Sequence, residues 1–185
     1  MMPFVQGDSS SLPEFCRSYA VVIDDNYLER GQIGFLTIQE SFVSKGRSQR
    51  GYNSAGSTRN VHVEVGRHQR QNWWGNTWGG SSRTLLADET RVLIANSVSD
   101  SCRFWDTHEF ACTADGDLSA LLNKYPEHTG RLMKRGELAN ISIFTPHECV
   151  PQWRAGLRQF FRIVGRGVTG SEPYFTPNPL LKDFK

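Results

Sequence analysis

Residues 44–60 of this chain hold almost nothing that can enter a hydrophobic core, and five alternating residues separate them from a second polar stretch, 67–83, that carries three tryptophans. The alternating residues are Val61-His62-Val63-Glu64-Val65, with the period of two that marks a half-buried strand. The spacing turns Val61, Val63 and Val65 inward and leaves His62 and Glu64 outward or toward a neighbour. The flanking stretches are dominated by Gly, Ser, Asn, Gln, Thr and Arg, whose polar groups need partners if buried. Polar loops this long are functional or disordered. A strand framed by them belongs to a sheet that carries the loops at its end.

The rest of the sheet reads from β-branched and aromatic runs. Strand candidates are 18–23, 32–38 (extended by 41–43), 90–96 and 139–144. Residues 102–112 alternate and are aromatic, which fits one long strand or a hairpin turning near Asp106. Asp117 is placed to cap a short helix over 118–124, which Pro126 ends. Residues 151–164 carry the clearest helical spacing. Pro151 suits the first turn, and Gly165 and Gly167 mark the end. Trp153, Leu157, Phe160, Phe161 and Val164 form an apolar stripe, and Arg154, Arg158 and Arg162 recur every four residues beside it. The expected fold is therefore α+β over a single domain, 1–185. A mostly antiparallel sheet of about six strands packs against one C-terminal amphipathic helix and one short helix. Residues 1–13 read as a loose arm, 44–60 as a long basic loop, and 168–185 as an extended, proline-containing tail.

Charge points to partners. Residues 43–83 carry seven Lys or Arg against Glu64 alone, a net +6, and 151–166 carry four Arg and no acid. These blocks stand in a chain whose overall net charge is only +2. Segregated charge speaks to binding rather than to fold. Three of the five tryptophans, Trp73, Trp74 and Trp78, fall within six residues beside arginines. Guanidinium groups neutralise phosphates, and indole rings stack on unpaired bases or cap a duplex. The expected function is an RNA-preferring nucleic-acid-binding protein without enzymatic activity. Its contact residues would be Arg47, Arg50, Arg59, Arg67, Arg70, Trp73, Trp74, Trp78 and Arg83 in the loops, with Arg154, Arg158 and Arg162 on the helix. Trp73 and Trp74 are adjacent, so on an extended chain one of the two rings belongs to the core. A competing reading is a self-assembling coat or matrix protein, a homo-oligomer that exchanges its tail and turns its basic blocks toward a genome or membrane.

With 38% hydrophobic and 22% charged residues, the composition is that of a globular chain. No apolar run approaches the ~18 residues of a membrane span. The start lacks a basic segment followed by an apolar core, so no signal peptide is expected. An intracellular site, with reduced cysteines, follows as an expectation.

Candidate chemistry is thinner. Cys102, His108, Cys112, His147 and Cys149 are zinc-type ligands, but their spacing fits no familiar site. On one strand Cys102 and Cys112 would stand ~33 Å apart, so only a hairpin could bring them to one ion. Cys16 with a distant histidine is a conceivable nucleophile and base. His62, Glu64 and His68 offer acid–base cleavage of a phosphodiester, a small hydrolase or nuclease. No phosphate-cradling, zincin or nucleophile-elbow motif supports these ideas. The sequence therefore assigns no catalytic residue, no metal and no cofactor.

Overall fold

The computed structural model describes residues 1–49, 59–64, 91–112, 116–165 and 176–181. It is mixed α+β, with two antiparallel sheets and few helices. Strands β1 (Met2–Val5), β2 (Ile33–Val43), β3 (Arg91–Asn96), β6 (Leu138–Ser142) and β8 (Gly156–Val164) form the first sheet, in the order β1-β2-β8-β3-β6. Strands β4 (Cys102–Phe104), β5 (Arg131–Leu132) and β7 (His147–Cys149) form the second, in the order β5-β4-β7. His62 extends the second sheet by bridging to His147 on one side and to Asp117 on the other. In chain order, β2, the His62 segment, β3, β4, β5, β6, β7 and β8 alternate between the two sheets, except that β4 and β5 are neighbours in the second. The arrangement is the double-sheet Greek-key order of a jelly roll.

One apolar cluster lies between the sheets. It draws Val92, Ile94, Ile141, Phe160 and Val164 from the first and Cys102 and Phe104 from the second, together with Val61 and Val63. A second cluster covers the outer face of the first sheet. Here Leu36, Leu93, Phe161 and Ile163 pack under Phe4, Leu12, Cys16 and Ile23. Truncating a wholly buried ring such as Phe4 to alanine costs ~3–5 kcal/mol.

Four expectations change. The helix over 151–164 is strand β8, paired with β2 from Phe35↔Val164 to Val43↔Gly156. A spacing of four residues also fits a period of two. Arg158, Phe160, Arg162 and Val164 therefore share one strand face, buried between the sheets, while Phe161 and Ile163 occupy the other. The strand expected over 18–23 is a 3-10 helix (Glu14–Tyr19) running into helix α1 (Ala20–Asp25). Leu12, Cys16, Tyr19 and Ile23 recur at helical spacing and face the outer cluster, while Val21 stands in solvent. Residues expected in a loose arm include β1, whose Met2 and Phe4 are buried. Residues 102–112 form neither a long strand nor a hairpin. β4 ends at Phe104, and the chain then runs along 144–146, with Trp105 N–H donating to Pro146 O and Glu109 N–H to Phe144 O.

Other readings hold. β2, β3 and β6 lie where strands were read, and Ser119–Lys124 is a short 3-10 helix whose first N–H is held by the Asp117 carboxylate. Of the tail, Thr176 N–H donates to Met1 O, and the buried Asn178 amide donates to Pro3 O and Ser11 O. Among the described residues, no helix is long and apolar enough to cross a membrane.

Candidate metal centre

The alternation that placed His62 and Glu64 on one strand face also buries that face. His62 and Glu64 are buried along with Val61 and Val63, because the segment lies inside the molecule rather than at a solvated edge. His62 and His147 are a hydrogen-bonded pair of facing residues, with His62 N–H to His147 O at 3.0 Å and the return bond at 2.9 Å. This pairing sets their rings together, with centroids 4.2 Å apart and planes tilted by 59°.

Each imidazole is then fixed in the same way. The Nδ1 atom lies 2.9 Å from a backbone carbonyl two residues upstream, Asn60 O for His62 and Thr145 O for His147. A carbonyl only accepts, so Nδ1 donates and the neutral ring offers its lone pair at Nε2. Such a carbonyl contact is the usual orienting partner of a metal-bound histidine. Glu64 completes the group. Its Oε1 lies 3.3 Å from His147 Nε2 and accepts from Arg162 Nη1 at 2.7 Å. Ligand atoms of His62, Glu64 and His147 all lie within 4.8 Å of one another, and all three residues are buried. Ligands held ~2.0–2.2 Å from an ion stand ~3–4 Å apart, so small side-chain shifts close the set.

Two arginines share this interior. Arg162, 2% exposed, holds Glu64 with Nη1 and Thr37 Oγ1 with Nη2. Arg158, 1% exposed, donates Nε to Ser101 Oγ at 3.0 Å and Nη1 to Gln49 Oε1 at 2.6 Å. Its Nη2 donates to Asn96 Oδ1, and Nη1 stands 3.9 Å from Cys149 Sγ. Among the described residues, no carboxylate bonds to Arg158. A buried charge is costly without a counter-charge, and the acceptors that Arg158 holds on Ser101, Gln49 and Asn96 are neutral.

The residues expected to bind nucleic acid are scattered. Arg158 and Arg162 point between the sheets and form no cationic face. Arg47 and Arg154 are exposed, and Arg154 lies over the Trp153 ring at 4.9 Å. Arg59 is drawn into a second network, bonding to Glu148 Oε1 at 3.0 Å and to Tyr125 O at 2.7 Å. Arg50, Arg67, Arg70, Trp73, Trp74, Trp78 and Arg83, with His68, lie outside the described residues. The zinc-type set is not gathered as one site. His108 is exposed, whereas Cys102 and Cys149 are direct partners across β4 and β7. Cys16 is buried, and that burial pushes its thiol above the ordinary value, which disfavours a nucleophile.

The sequence paired His62 and Glu64 with His68 and left His147 among the cysteines. The signal that joins His147 to them is the antiparallel bridge between two segments far apart in the chain. Compared with known protein families, curated proteins and solved structures, this chain matches none, and the geometry alone carries the reading of the site.

Proposed function

We propose that the chain is a mononuclear iron(II)-dependent oxygenase whose metal is held by His62, Glu64 and His147. The observation that carries this is the convergence of two imidazoles and one carboxylate, all three buried, between two sheets. Two histidines and one carboxylate on one side of an ion, with the other positions open, is the ligand set of non-haem iron oxygenases. The donor chemistry fits: neutral imidazoles anchored through Nδ1, and a carboxylate oriented by Arg162. Iron(II) bound there would supply dioxygen activation. The protein's own residues fix the ligand geometry, and the sheets exclude bulk water.

The same ligands also serve zinc hydrolases, in which a further acidic residue commonly acts as base. The group here contains Glu64 as its one carboxylate, already engaged by Arg162. Oxidative chemistry also requires an electron donor, and Arg158 favours a carboxylate-bearing one. A 2-oxo diacid can chelate a metal through its keto acid end and present its distal carboxylate to a buried guanidinium, to which no carboxylate bonds among the described residues.

The test is anaerobic titration of the protein with iron(II), then with 2-oxoglutarate as probe. One iron per chain is expected, with a new visible absorption on adding the oxo acid and decarboxylation on admitting air. His62→Ala, Glu64→Gln and His147→Ala should each lose all three signals while keeping the far-UV spectrum. Iron binding unchanged in these variants would overturn the assignment. Zinc-dependent release of nucleotides from RNA would favour the hydrolase instead.

Nucleic acid, with RNA preferred, stands beside this as the proposed partner. The supporting observation is that His62 and Glu64 lie inside the +6 block of residues 43–83, so both basic stretches lead directly into the ligand strand. A salt-sensitive gel shift with single- and double-stranded RNA and DNA tests it, because phosphate contacts lose affinity steeply with salt. No shift at low salt would remove the partner without touching the metal reading.

A further inference from the structure

We infer that Cys102 and Cys149 form a reversible dithiol–disulfide site on the inner face of the second sheet, oxidised by peroxide. The two residues are direct partners in the β4–β7 register. Val150 N–H donates to Ser101 O, and Trp105 N–H to Pro146 O, so 101/150 and 105/146 are hydrogen-bonded pairs. Pairs alternate along an antiparallel ladder, which makes Cys102/Cys149 a non-hydrogen-bonded pair. Side chains approach most closely at such positions. The Cα atoms of such a pair stand ~4.5 Å apart, within the ~4.4–6.8 Å that a disulfide spans. Both thiols are free, Cys102 buried and Cys149 partly exposed. The next pair on the same face is Phe104/His147, so the dithiol adjoins the metal ligands.

The unequal exposure sets the order of events. Peroxide reaches the Cys149 sulfur first, giving a sulfenic acid and one water. The Cys102 sulfur then attacks the Cys149 sulfur, the S–S bond forms, and the hydroxyl leaves with the thiol proton as a second water. Two thiols lose two electrons, and the peroxide O–O bond accepts them. Burial holds the Cys102 thiol well above its ordinary value, which disfavours it for first attack on peroxide, and its register position directly opposite Cys149 makes it the resolving partner. Cys16 lies in the outer cluster, and Cys112, though packed against the inner one, falls outside the β4–β7 register that sets Cys102 opposite Cys149.

The experiment treats the reduced full chain with hydrogen peroxide in the presence of a chelator, which keeps iron chemistry out of the result. Intact mass and a non-reducing peptide map are then read. The expected product has lost two hydrogens per chain, carries a Cys102–Cys149 link, and returns to the starting mass with a thiol reductant. In Cys102→Ser the reaction should stop at a Cys149 sulfenic acid, captured by dimedone. In Cys149→Ser dimedone labelling at Cys102 should be at least tenfold slower. A link through Cys16 or Cys112, a link between chains, or two unlinked thiols in a chain that keeps its native spectrum would each overturn the proposal. The wild-type map decides this even if a serine variant fails to fold. The readout does not involve the metal, so it stands or falls apart from the oxygenase assignment.

Discussion

Glu64 and Glu148 are both all but excluded from water, and both bond to arginine, yet they lie on different faces of the second sheet and do different work. Glu148 accepts from Arg103 at 2.6 Å and from Arg59 at 3.0 Å, with Glu127 3.2 Å from Arg103 and Trp105 beneath Arg59. That is a charge-balanced cluster with no lone-pair nitrogen in it. Glu64 accepts from Arg162 and lies beside two imidazoles, those of His62 and His147. The same pair of residue types thus makes a structural clamp in one place and a ligand set in the other. What separates them is the histidine pair, not burial or charge.

The largest expected effect tests the clamp. Glu148→Gln leaves two arginines short of a counter-charge, and breaking a buried pair costs ~3–5 kcal/mol, measured by denaturant unfolding. Replacing Arg103 and Glu148 together with Met and Leu should recover most of it, since apolar groups of similar volume often substitute without loss. A loss below ~1 kcal/mol for the single variant would mean that Glu127 suffices.

Metal response sharpens the contrast. Iron(II) or cobalt(II) should raise the melting temperature of the wild type and of Glu148→Gln, because binding to the folded state alone stabilises it. It should not raise that of Glu64→Gln, whose affinity is expected to fall ~100-fold or more, and Arg162→Lys should cost ~10-fold through loss of ligand orientation. Equal responses from the two glutamate variants would erase the distinction.

A third carboxylate gives an intermediate case. Glu109 accepts from the Tyr125 hydroxyl at 2.6 Å and from Lys124 at 3.3 Å, and among the described residues it belongs to no metal-type cluster. Tyr125→Phe should cost ~1.5–3 kcal/mol in unfolding free energy, the range for a hydrogen bond to a charged group, with metal response intact. The smallest effect belongs to Glu137. The Lys134 backbone N–H holds its carboxyl below the ordinary value against partial burial, with help from Arg131. A depressed folded-state value stabilises the protein above the unfolded value and loses that contribution as pH falls through the folded one. The stability difference between wild type and Glu137→Gln should therefore be present at neutral pH and vanish in acid. A difference that persists there would assign it to packing.

The sequence made part of this legible. Alternation identified the His62–Glu64 strand face, and β2, β3 and β6 followed from β-branched runs, because those signals are local. β8 was misread because arginines every four residues satisfy both a helix and a strand. The decisive feature was Arg158, Phe160, Arg162 and Val164 on one side, and it needed the pairing with β2 to be seen. Helix α1 was misread because its β-branched residues hid the helical recurrence of Leu12, Cys16, Tyr19 and Ile23. The ligand set was half legible. His62 and Glu64 share a strand, but no local pattern brings His147 to them.

That separation bears on how the molecule comes to exist. His62 and His147 are 85 positions apart (147 less 62), and they meet across a two-sheet topology in which most pairings are distant in sequence. Chains dominated by non-local pairing fold on the millisecond-to-second scale, because loop closure must precede the reward. The ligand set assembles only when the Greek-key crossing is complete, so arrival of the metal signal in a refolding trace would time the final closure of the chain.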